Sequence, residues 1–178
     1  MKNIYSNIFS FNKKNLLKSI DKLKKGHVLG LPTETVYGLA GNAYLKKAVR
    51  KIFTLKKRPS YNPLIIHYAN SKFAKNDVIL NDNFYKLYNK FCPGPITFVL
   101  KKNKKSKIVS LATANLNTVA IRFPSHRIIK TLLKQIKFPL AMPSANLSSG
   151  LSPVNAKDVF DEFKKSLKII IDGGKSKI

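Results

Sequence analysis

Apolar residues recur along the chain with two alternating periods, one helical and one extended. Leu16, Leu17, Ile20 and Leu23 share a helical face, and Gly26 stands where that helix would stop. HVLGL, residues 27–31, then reads as a short strand closed by Pro32. Leu45, Val49, Ile52 and Phe53 mark a second amphipathic helix running into KKRP, where Pro59 blocks continuation. Asn62-Pro63 is a turn, and LIIHY, residues 64–68, is a strand of buried type. Phe84, Leu87, Tyr88 and Phe91 form a third helical stripe, stopped by Pro93-Gly94-Pro95. ITFVL and TVAIRF are strands separated by a basic surface loop, KKNKKSK. Ile128, Ile129, Leu132, Leu133 and Ile136 predict another helix, followed by the short strand PLAM. A helix over Asn155 to Phe163 and a strand KIIID close the chain.

Strands alternating with helices predict an α/β domain with a partly parallel sheet, and the 178 residues fit one domain, 1–178. Such a chain is long enough to bury roughly 70% of the surface it exposes unfolded. Polar clusters follow strand and helix ends repeatedly, where open α/β sheets place ligands.

Composition changes the picture at one point. Lys+Arg number 34 against 8 Asp+Glu, a formal net charge of +26. Most of the excess is lysine spread over every segment, which reads as a solvated surface rather than a dedicated nucleic-acid stripe. The field favours an anionic ligand without identifying it. Cys92 is the single cysteine, so neither a disulfide nor a cysteine-based zinc site forms within one chain, and a reducing, cytosolic setting fits. No apolar run approaches the ~18 residues of a membrane span, and the first fifteen residues lack the pattern of a secretion signal.

Several clusters are candidates for chemistry. In LPTETVYGLAGNA, residues 31–43, an apolar run delivers Thr33, Glu34 and Thr35 either to a solvated turn or to the floor of a site. Lys56 and Arg58 sit at a helix end, before a connection stiffened by Pro59 and Pro63. They read either as cations complementing the helix dipole or as site residues. His67, alone on an apolar strand, reads as a satisfied core residue. Thr118, Ala120 and Arg122 share one face of a strand, and a half-buried arginine there requires a carboxylate or a bound anion. PSANLSSGLSP supplies Ser144, Asn146 and Ser152, able to grip phosphate and ribose or to satisfy their own backbone. GGKS at 173–176 imitates the end of a phosphate-binding P-loop, but Ile169 stands where the motif needs glycine.

Taken in order, LPTETVYGL, K-x-RP with NPLI-x-H, PGPITFVL, TVAIRFPSH, PSANLSSGLSP and IIIDGG resemble the YrdC/TsaC family of threonylcarbamoyl-AMP synthases from Gly30 to Gly174. The resemblance implies a twisted open mixed sheet flanked by helices, with a large concave basic pocket. It implies a nucleotidyltransferase that condenses L-threonine, bicarbonate and ATP, with Mg²⁺, into threonylcarbamoyl-adenylate and pyrophosphate. A partner complex then transfers the threonylcarbamoyl group to tRNA. Carried over residue by residue, Thr35, His67, Arg122 and the main chain at Met142 would hold threonine. Arg58, Asn62, Thr118, Ser144 and Ser152 would contact ATP. Lys56 and Arg58 would neutralise charge during the chemistry, and no protein residue is assigned as a metal ligand.

Cys92 and Met142 depart from the family's usual residues as packing changes. The family's chains continue past DGG into a GxEST-like block, an RPG-like turn bearing an ATP-contacting arginine and, in the longer branch, a regulatory domain. This sequence ends at KSKI, so those parts are expected to be missing. A truncated module that binds tRNA or double-stranded RNA without catalysis is the alternative. Carbamoyl-adenylate chemistry of hydrogenase maturation fits less well, since it occurs in a much larger, cysteine-rich protein.

Overall fold

The computed structural model describes residues 5–177. The reading of the leader and of the domain bounds extends to residues 1–4 and 178, which lie outside them. Eight strands form one sheet: β1 Ile8–Ser10, β2 Leu29–Pro32, β3 Tyr37–Asn42, β4 Ile66–His67, β5 Thr97–Lys101, β6 Thr118–Arg122, β7 Leu140–Ala141 and β8 Ile170–Asp172. Their spatial order is β1-β8-β2-β3-β7-β4-β6-β5. β8 pairs in parallel with β1 and β2, and β4 in parallel with β6, while the other pairs are antiparallel. The sheet is therefore mixed.

The helices are α1 Lys13–Lys24, α2 Lys46–Lys56, α3 Ser71–Ala74, α4 Asp82–Phe91, α5 Arg127–Gln135 and α6 Ala156–Phe163. Asn12, Asn70, Asn81 and Asn155 each accept a backbone N–H with the side chain at a helix start, and Asn155 completes a capping box with Asp158. The asparagines that dilute the apolar pattern thus set the helix boundaries.

Two apolar clusters divide the core between the faces of the sheet. Leu16, Ile20 and Leu23 of α1 join Ile129, Leu132 and Leu133 of α5 over Leu29, Leu31, Ala40 and Leu140. On the opposite face, Val49 and Ile52 of α2 and Val159 of α6 pack on Leu39, and Phe84 of α4 packs near Phe98 and Phe123. The register places His67, Arg122 and Thr97 in one row, on the same face as Leu140 and therefore on the α1–α5 side. Further along β6 and β5 that face is bare. Thr97, Val99, Lys101 and Thr118 are exposed, whereas Phe98, Val119 and Ile121 between them are buried. The α1–α5 layer stops short of the β6–β5 edge and leaves an open shelf, with Arg122 and His67 beside it.

β3 has no counterpart among the strands read from sequence. All six of its residues are buried, so alternation is lost, and Gly38 and Gly41 lower its strand character. β1 and α3, of three and four residues, are too short to carry a period. HVLGL and LIIHY shorten to Leu29–Pro32, shifted by a residue at its end, and Ile66–His67.

Candidate functional site

The turn after β2 is held by Thr33, whose hydroxyl donates to Val36 O at 2.6 Å and accepts from the N–H groups of Thr35 and Val36. This turn projects Glu34 and Thr35 toward the end of β6. There, Arg122 Nη2 donates to Glu34 Oε1 at 2.6 Å and to Thr35 Oγ1 at 3.0 Å. Glu34 Oε2 accepts from the backbone N–H groups of Ser125 and His126, which lead into α5. His126 caps that helix through Nδ1, so a carboxylate also meets its positive end.

The geometry makes Glu34 the partner of a site cation rather than part of a solvated turn. Its burial raises the carboxyl pKa, but Arg122 and the backbone donors outweigh that and hold it below the ordinary value. Arg122, for which the sequence allowed either a carboxylate or a bound anion, already has its carboxylate. Its Nε nevertheless remains buried without a partner.

His67 lies beside Arg122 through the parallel β4–β6 pairing and is 2% exposed. Burial, reinforced by the Arg122 charge, pushes its pKa down to about 3, so the ring is neutral at physiological pH. Its Nδ1 has no partner, unlike the satisfied core histidine expected from the strand pattern. Two orphaned buried polar atoms on adjacent strands mark a place where a polar ligand can bind.

Gly38 brings the neighbouring segment close. It bridges to Ser144, and a Cβ built on it would lie 2.5 Å from Met142 Cγ and 3.0 Å from Pro143 O. The Met142 side chain is thereby packed against β3, while its N–H donates to Ile65 O. The GGKS segment is no phosphate loop. Ser176 Oγ donates to Thr33 O, and Tyr37 Oη donates to Gly174 O while accepting from Gly173 N, strapping this stretch to the Thr33–Tyr37 turn. Tyr37 is thereby a brace of the site.

Lys56 is 1% exposed, and its Nζ donates to Ser144 O at 2.7 Å and Asn146 O at 2.5 Å. Burial pulls the ammonium down to about 8, with Arg58 contributing in the same direction. The lysine pins the loop that carries Ser144, a role its helix-end position did not announce. Arg58 Nε donates to Asn62 O, and Nη2 donates to Asn62 Oδ1 and Pro63 O. Arg58 and Asn62, expected at one site, therefore meet directly and stiffen their turn. Arg58 also borders a hollow with Lys46, Arg50, Ser110 and Asn115.

Thr118 sits on the same face of β6 as Arg122 but four residues away, ~13 Å along the strand. Ser152 is exposed in the loop after Ser144. The sequence candidates thus fall into a tight group of Glu34, Thr35, His67 and Arg122, a second group of Lys56 and Ser144, a braced Arg58–Asn62 turn, and two outlying hydroxyls. Among the described residues no group of three or more His, Cys, Asp or Glu is placed to hold a metal ion. No helix among them is long and apolar enough to cross a membrane.

Comparison with known proteins bears on what this geometry serves. The Sua5/YciO/YrdC family profile, described as "Telomere recombination", matches residues 21–178. The chain belongs to the Sua5/YciO/YrdC family. A Pyrococcus abyssi protein named threonylcarbamoyl-AMP synthase is 40% identical over 159 residues, covering 88% of this chain and 46% of its own. A Bacillus subtilis protein of the same name is 38% identical over 166 residues, covering 93% and 48%. The chain spans about half the length of these curated relatives. The solved structure of Pyrococcus abyssi Sua5 complexed with L-threonine superposes with a TM-score of 0.92 at 36% identity, over 96% of this chain and 51% of that one. The mixed sheet flanked by helices expected from the YrdC/TsaC resemblance is the sheet observed, and its uncovered β6–β5 shelf adjoins the Glu34–Arg122 group.

Proposed function

We propose that this chain carries the activity named for its relatives, threonylcarbamoyl-AMP synthesis from L-threonine, bicarbonate and ATP. The observation that carries the proposal is the row of Arg122 Nε and His67 Nδ1, buried and unpartnered beside Thr35. A relative of the same fold, Pyrococcus abyssi Sua5, has been solved in complex with L-threonine, which supports placing the amino acid here.

In this reading the threonine carboxylate takes the free Nε–H of Arg122, whose orientation Glu34 fixes from the other side. Neutral His67 and Thr35 offer hydrogen bonds to the substrate's polar groups. The amine attacks bicarbonate, forming a C–N bond and releasing water, to give a carbamate. A carbamate oxygen then attacks the α-phosphorus, and the bond to the β-phosphate breaks with release of pyrophosphate. Catalysis here is positioning and charge neutralisation rather than attack by a protein nucleophile.

ATP would lie along the open face of β6, where Val99 and Ala120 give an apolar step between Arg122 and Thr118. Ser144 and Ser152 would contact it from the neighbouring loop, and this shelf would be the concave pocket. Arg58 and Asn62 would meet the phosphates. Lys56 contributes a cation held under the Ser144 carbonyl. Mg²⁺ would enter with ATP, since both oxygens of Glu34 are committed and the residues present supply no carboxylate ligand; no step is assigned to it. The product would serve a transferase complex modifying tRNA in the cytoplasm.

Release of pyrophosphate should require threonine and bicarbonate together. Turnover that persists when either is omitted, or its complete absence in a folded sample, would contradict the proposal.

A further inference from the structure

Asparagine side chains cap α1, α3, α4 and α6, but α5 begins at a histidine. Asparagine is a preferred cap and histidine is not, so capping alone does not account for His126. Its Nδ1 accepts from Ile128 N at 3.2 Å, which puts the proton of the neutral ring on Nε2. The second nitrogen, on the far side of the ring, reaches another segment. The Gly173 backbone hydrogen-bonds the ring, and since the Gly173 N–H already goes to Tyr37 Oη, its carbonyl is the acceptor. The packing there is tight. A Cβ built on Gly173 would lie 2.9 Å from His126 Cε1 and 2.6 Å from Pro32 Cγ. Gly173 is therefore pressed between the imidazole and Pro32, the residue before the turn that projects Glu34.

The same residue governs the groups that receive Glu34. The N–H groups of Ser125 and His126 donate to Glu34 Oε2 at 3.0 and 3.3 Å, free to do so because they precede the first turn of α5. Pro124 stiffens the approach to these donors, and the Nδ1 cap fixes their exit into the helix. Glu34 Oε1 in turn holds Arg122 Nη2 at 2.6 Å, and the Nε of that arginine is buried without a partner. We propose that His126 is a positioning residue for the amino-acid substrate, setting the Arg122 guanidinium through Glu34 without touching the ligand. The inference rests on the threonine site assigned above. A neutral imidazole suits this role, because protonation would set an Nδ1–H against the Ile128 N–H. Burial holds the ring below its ordinary pKa, although the Gly173 backbone and Glu34 pull upward, with Arg127 adding a smaller downward push.

Isothermal titration calorimetry with threonine, paired with steady-state pyrophosphate release, tests this on the full chain. His126→Phe keeps the volume of a ring and removes both nitrogens, while His126→Asn restores a cap acceptor. Asn81→Ala removes a cap of the same kind from α4 and controls for lost stability. Circular dichroism verifies folding, and His126→Ala takes the place of His126→Phe if the larger ring prevents it. His126→Phe should raise the Kd and KM for threonine about tenfold while the KM for ATP changes less than about twofold. His126→Asn should recover most of the threonine affinity, and Asn81→Ala should leave it unchanged. An equal loss in Asn81→Ala would reduce the effect to stability and overturn the proposal. So would a failure of His126→Asn to recover affinity, which would make the bulk of the ring the cause rather than its acceptor. Wild-type affinity matched by His126→Phe would overturn this inference alone, whereas a wild-type chain that binds no threonine would overturn it together with the site it rests on.

Discussion

Glu34 and Arg122 meet at 2.6 Å although 88 positions separate them in sequence, with side chains 9% and 12% exposed. A pair so buried adds little net stability when intact but is costly to break, because the survivor keeps its charge without a partner. Glu34→Ala should destabilise the fold by about 3–5 kcal/mol, measured by urea unfolding, and should weaken threonine binding beyond that of a merely destabilised control. His67 makes a different prediction. Its folded pKa of about 3 lies below the ordinary 6.5, so the unfolded chain binds the proton more readily as pH falls between them. Stability is retained above pH 6.5 and declines below it, by up to ~1.4 kcal/mol per pH unit. His67→Gln should flatten the profile between pH 6.5 and 5, where most carboxylates do not titrate; an unchanged slope would assign the acid sensitivity elsewhere. Motif order singled out Thr35, His67 and Arg122 as candidates, but neither the Arg122–Glu34 contact nor the backbone donors at Ser125 and His126 could be read from sequence. Spacing in the chain carries no information about which residues meet across a sheet.

At the scale of elements, α2 and the loop after β7 form one unit through Lys56. Lys56→Met keeps the aliphatic stem but removes the donors to Ser144 O and Asn146 O. It should cost about 1–3 kcal/mol and speed proteolytic cleavage within residues 147–152. Activity should fall with it, so a variant that keeps full stability and loses only activity would show a purely chemical role for the lysine. Gly38→Ala tests the other wall. The new methyl group meets Met142 and the Pro143 carbonyl, and overpacking of about 1–3 kcal/mol is expected in a thermal melt. The strong helical stripes were legible because α1, α2, α4 and α5 bury one face only. β3 was not, because burial on both faces erases the alternation by which a half-buried strand is recognised.

At the scale of the molecule, +26 net charges surround a site whose own cations are few and individually held. Composition favoured an anionic ligand and could not say where one would bind. The fold places a few of these cations at the cleft by one end of β2, six lysines around a hollow at the other end, and the rest over the surface. The central claim is that the cleft joins threonine, bicarbonate and the adenylyl group of ATP. Mass spectrometry after incubation with threonine, ATP and carbon-13-labelled bicarbonate tests it most directly. The account predicts threonylcarbamoyl-adenylate carrying the label, lost in Arg122→Ala; a folded protein that yields no labelled adenylate would contradict it.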